Sequence, residues 1–137
     1  MNRLLLRSLY DGQRHSPLTV GVLGPELHGA IGATTRHVLL SPETMAKQRR
    51  NHPDITLDHY LVLPVALRQA AVLQDTARSL VLVHEDSVRH MTHFKVAIKA
   101  TACGREMYVV SFHCLRPREV QRVFGRHPLI RPVVREG

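Results

Sequence analysis

The chain has no tryptophan, and aromatic residues make up only 4% of its 137 positions. A core must therefore be built mainly from Val, Leu, Ile and Ala, which the 44% apolar content allows. A single domain of this length buries roughly two-thirds of its unfolded surface and needs no covalent staples. Cysteine is scarce as well. Cys103 and Cys114 set no disulfide framework, so reduced thiols and a cytoplasmic site of action are expected. Cys-x-x-Cys pairs are missing, which argues against structural zinc. Among the ten histidines only His90 and His93 stand at i, i+3 without a third ligand in strong spacing, so no metal and no cofactor are expected. Long apolar runs are lacking too. The three leucines between Arg3 and Arg7 are too short for a signal-peptide core or a membrane span.

Lysine is the last scarcity, and it sharpens the charge. The formal net charge is +8 and the sequence pI about 10.5, yet only Lys47, Lys95 and Lys99 are lysines; the other sixteen basic residues are arginine. Solubility needs only charge, whereas the planar guanidinium binds phosphate in bidentate fashion and stacks on bases. The bias points to an anionic polymer, RNA foremost. The bland alternative is a solvated basic surface.

Residues 1–35 carry weak signals: a strand near Leu18–Leu23, then glycines that fit no phosphate loop. They are expected to form an N-terminal extension packed loosely on a domain spanning 36–137. From Arg36 the pattern is clearer. A short strand runs to Leu40. Ser41-Pro42-Glu43 then opens a helix with a cap, an N1 proline and an acidic first turn. His52-Pro53 ends it. Further helical stretches follow to Ala71. Strands are expected at 72–75, 79–84, 93–101 and 105–113, then a helix from Pro117 to Phe124 and an extended segment at 129–134. Helices followed by antiparallel strands indicate an α+β domain.

Several constellations bear chemistry. Thr44, Lys47 and Asn51 share a helical face, and His52 stands where that helix ends beside Arg49 and Arg50. An amphipathic surface helix with a basic C-terminus explains the same residues. Strand alternation puts Ser111 and His113 on one face, opposite Tyr108 and Phe112. A two-residue turn at Cys103-Gly104 sets Val96 against Ser111 and turns Lys95 and Lys99 away with Tyr108. A bulge reverses this, so the sequence leaves open whether Lys99 joins Ser111. Arg118, Arg122 and Arg126 recur at i, i+4, i+8 as a basic ridge.

The stretch from "LLSPETMAKQRRNHPDITLDHYLVLP" through "VAIKATACGREMYVVSFH" to the basic tail resembles the phage-associated branch of the barnase–EndoU–colicin–RelE (BECR) nuclease superfamily. The similarity covers roughly residues 36–131. It implies N-terminal helices packed on a four-stranded antiparallel sheet. It also implies a toxin-like, metal-independent endoribonuclease that cuts RNA, tRNA included, to a 2′,3′-cyclic phosphate. Thr44, Lys47, His52, Ser111 and His113 match the pattern as catalytic candidates. Arg49, Arg50, Lys99, Arg118, Arg122 and Arg126 are the candidate RNA contacts. An immunity protein or antitoxin is the implied protein partner, with delivery by a phage particle or a secretion system. The rival readings are a non-catalytic RNA-binding module and a phage-derived adaptor for an acidic protein.

Overall fold

Local capping begins each of the main helices, and a long-range strand pairing positions them. The computed structural model describes residues 1–86 and 92–135. Asn2 opens α1 (Arg3–Tyr10), its side chain accepting from the Leu4 and Leu5 amides at 2.8 and 3.2 Å. β1 (Leu18–Val22), the short helix α2 (Pro25–His28) and a 3-10 turn at Gly29–Ile31 follow. β2 (His37–Leu40) leads into α3 (Pro42–Asn51), where Ser41 Oγ accepts from the Thr44 amide at 3.1 Å. α4 (Leu57–Tyr60) and α5 (Leu63–Gln69) precede β3 (Ala71–Thr76), β4 (Ser79–Asp86), β5 (Thr92–Ala100) and β6 (Met107–Leu115). α6 (Pro117–Arg126) and β7 (Leu129–Arg131) complete the described chain.

The α+β class holds, but the four-stranded antiparallel sheet does not. The strands form one seven-stranded mixed sheet in the order β1-β2-β6-β5-β4-β3-β7. Within it β3-β4-β5-β6 is an antiparallel run. It grows at one edge because β2 pairs parallel with the start of β6, Val38 opposite Met107 and Leu39 opposite Tyr108, and brings β1 with it. It grows at the other edge because the segment after α6 pairs with β3. Arg131 fastens that edge, donating to the Ala70 carbonyl at the end of α5 at 2.7 Å.

Residues 1–35 are not loosely packed. Leu6, Leu9, Val20, Leu23, Leu27 and Ile31 are all buried in the main core with α3, α4, α5 and one face of the sheet. A smaller cluster lies on the opposite face. There Val123 and Val120 of α6 cover Leu73, Val81, Val83 and Leu115.

The β5–β6 loop is locked onto the N-terminal segment. Gly104 has φ +76, and its carbonyl accepts from the Thr34 amide (2.8 Å) and hydroxyl (3.1 Å). A Cβ at Gly104 would strike the Gly32 carbonyl oxygen. Positive φ and close backbone approach both demand glycine here. Gly104→Ala should therefore cost on the order of 1–3 kcal/mol. Urea unfolding reads this as a lower midpoint, and an unchanged midpoint would mean that the loop yields freely.

Candidate active site

β2 ends at Leu40, but β6 continues seven residues past its last pairing with it, to Leu115. α3 takes over the vacant edge. Gln48, only 1% exposed, works as a substitute strand: its amide nitrogen donates to the Phe112 carbonyl and its oxygen accepts from the Phe112 amide at 3.2 Å. Lys47 Nζ reaches the Val110 carbonyl at 3.4 Å. Buried backbone groups left unpaired are costly, so these contacts fix α3 alongside β6. The buried residues of α3 are thus Met45 and Gln48, while Lys47 and Asn51 are exposed and Thr44 is half-buried.

A bulge in β6 sets the other half of the site. Lys99 pairs with Tyr108 and Ile98 with Val109, but Ala97 pairs with Ser111 and Lys95 with His113. Val110 is the extra residue. The register shift turns Ser111 and His113 onto the face of Tyr108, Lys95 and Lys99, resolving the open question of side. Phe112 stays on the core face, as does Cys114, which packs against the main core. Its burial pushes the Cys114 thiol up, away from the thiolate.

His52, at the end of α3, comes round the β6 edge and stacks on His113. Their ring centroids are 5.1 Å apart and the planes 14° from parallel. Both residues are half-buried. Burial first, then the neighbouring His52 and Lys95, holds His113 below the usual imidazole pKa; Glu119 and Asp54 oppose this more weakly. His113 Nδ1 is buried and has no hydrogen-bond partner among the described residues. An imidazole held below its usual pKa fits a proton acceptor.

The other expected site residues are divided by the length of α3. Thr44 lies at its start and His52 at its end, about 12 Å away along the axis. Thr44 and Lys99 instead line a separate cleft with Tyr108 and Val110. Arg49 is engaged with α1: it donates to the Tyr10 carbonyl at 2.8 Å, with its guanidinium carbon 4.7 Å from the Tyr10 ring centroid. Arg50 is exposed. Arg118, Arg122 and Arg126 are exposed on α6, and the first two line a hollow of about 450 Å³ with Arg116 and Glu119. Glu119, in the lining of this basic hollow, also acts weakly on the His113 charge.

His90 lies outside the described residues, and His93 sits on β5 with Nε2 3.9 Å from Glu85. Among the described residues no three His, Cys, Asp or Glu side chains are grouped as a metal site. No helix among them is long and apolar enough to cross a membrane. No protein-family model, curated protein or solved structure matches the chain.

The depressed His113 pKa links the site to stability. An unfolded imidazole takes its proton near pH 6.5, whereas folded His113 resists it. As pH falls through 6.5, the unfolded state gains protons first and unfolding is favoured. Buried His84, lowered chiefly by desolvation, acts in the same direction. The urea midpoint should fall between pH 7.5 and 5.5, and fall less in His113→Phe. An equal fall in that variant would assign the dependence to His84.

Proposed function

We propose that the protein is an endoribonuclease in which His113 and His52 move the protons. The single observation that supports this reading most is the stacked pair, one member neutralised by burial, open to a strongly basic surface. The reading rests on these side chains, because the seven-stranded sheet departs from the architecture that the nuclease resemblance implied.

Neutral His113 takes the proton from a ribose 2′-OH. The 2′-oxygen attacks the adjacent phosphorus, and the bond to the 5′-oxygen breaks. His52 gives a proton to that leaving oxygen. The products are a 2′,3′-cyclic phosphate and a 5′-hydroxyl. Like charges on stacked rings repel, which disfavours protonation of both imidazoles at once, and an acid–base pair needs only one of the two protonated. Lys95, paired across the strands from His113, supplies positive charge where the phosphate becomes crowded with oxygen. Ser111, two residues from His113 on the same face, offers a hydroxyl donor. The α6 arginines hold the backbone of the RNA. The substrate class is cellular RNA, tRNA included, and an antitoxin or immunity protein is the regulatory partner of such an activity.

Incubation of the purified protein with total RNA in EDTA should give discrete fragments ending in 2′,3′-cyclic phosphate. His52→Ala and His113→Ala should each slow cleavage by about 10²–10⁴-fold with RNA binding retained. Intact RNA bound by the wild type would replace this reading with a non-catalytic RNA-binding module. Neither cutting nor binding would point to a protein partner.

A further inference from the structure

At the opposite end of α3 from the histidine pair, four regions far apart in sequence border an open cleft of about 660 Å³. This lies within the range of small-molecule sites. His15 comes from the α1–β1 connection, Thr44 from the first turn of α3, Arg78 from the β3–β4 turn, and Lys99, Tyr108 and Val110 from the central hairpin.

Its chemistry is unlike that of a plain basic surface. Lys99 and Tyr108 are directly opposed across β5 and β6, so both side chains leave the same face of the sheet, and both line the cleft. Tyr108 is held by its hydroxyl, which donates to Glu106 at 3.0 Å, and its ring is only partly covered. Arg78 is exposed at the rim, and its carbonyl, accepting from the Ala100 amide at 2.8 Å, ties that turn to the end of β5. Lys47 reaches the same wall, at the Val110 carbonyl. Glu43, also in the lining, is a carboxylate able to accept from an exocyclic amino group. A cleft that holds an aromatic ring together with Lys99 and Arg78 can take a base on the ring and a phosphate on the cations.

We propose that this cleft is a nucleotide subsite that seats one base of the RNA chain against Tyr108, with a neighbouring phosphate on Lys99 and Arg78. The inference rests on RNA being the substrate, but not on the histidine chemistry. α3 then acts as the ruler between the seated nucleotide and the bond to be cut. Thr44, a catalytic candidate in the sequence, and Lys99, a candidate RNA contact, both line this cleft, where they select and place the chain.

The test is titration of the full chain with nucleoside 5′-monophosphates, followed by amide and side-chain NMR shifts, with inorganic phosphate alone as a second probe. An RNA oligomer blocked by 2′-O-methyl groups and an oligoglutamate of equal charge serve as competitors. Shifts should centre on Tyr108, Lys99 and Arg78, and the RNA should displace the nucleotide. Tyr108→Ala should weaken nucleotide binding about tenfold or more while leaving phosphate binding near that of the wild type, and Tyr108→Phe should restore it. Lys99→Gln with Arg78→Gln, both at exposed positions, should weaken both ligands. Shifts elsewhere, variants that bind like the wild type, or equal competition by oligoglutamate would overturn the assignment. So would nucleotide that RNA fails to displace, which would mark a site for free nucleotide. His52→Ala should bind nucleotide as the wild type does. Binding without RNA cleavage would sink the catalytic reading and leave the subsite standing, and cleavage without binding would do the reverse.

Discussion

The hydrogen bonds between Gln48 and the Phe112 backbone hold the design together. A strand edge must be paired, covered or exposed. Here the chain that pairs with the start of β6 stops being a strand at Leu40, turns helical, and keeps running beside the same neighbour. One amide side chain supplies both the donor and the acceptor that a further strand would have offered. Its burial at 1% exposure places those bonds where unmet polar groups cost most. Everything functional proposed for the protein is arranged along this helix-on-edge contact. The histidine pair lies at one end and the cleft at the other.

The contact also explains the division of electrostatics. On the core side of β5 and β6 are Phe94, Val96, Ile98 and Phe112, all fully buried. On the other side α6 covers only part of the sheet, its apolar Val120 and Val123 meeting Leu73, Val81, Val83 and Leu115. Lys95, Lys99, Ser111 and His113 share that face of the central hairpin. A charged strip flanked by exposed arginines is suited to a long polyanion.

Local chemistry made much of this readable from the sequence. The Ser41-Pro42 cap, the His52-Pro53 stop and the Pro117 start each act within a few residues, and α3 and α6 lie where those signals put them. His52 and His113 were legible as candidates, and the structure brings their rings together. What was not legible depends on contacts distant in sequence. The bulge at Val110 is invisible to alternation, yet it decides which face Ser111 occupies. Gln48 looks like a solvent-facing helix residue until Phe112 is placed beside it. α1 carried a local signal, Asn2 before a leucine run, but its role became evident only through Leu6 and Leu9 in the core. The four-stranded expectation failed for the same reason. Both added edges are closed by segments whose partners are remote in the chain.

The β2–β6 pairing carries a consequence for the order of assembly. Its residues stand about seventy positions apart, so closing it orders a long loop before any reward from the contact. The hairpins β3–β4, β4–β5 and β5–β6 form from neighbouring segments and can gather first. Until β6 exists, β2 has no neighbour on that side and α3 has no edge to cover, so the two histidines stay apart. The molecule thus completes its sheet before it completes its chemistry, and a chain caught partway through folding carries the basic surface without the paired imidazoles.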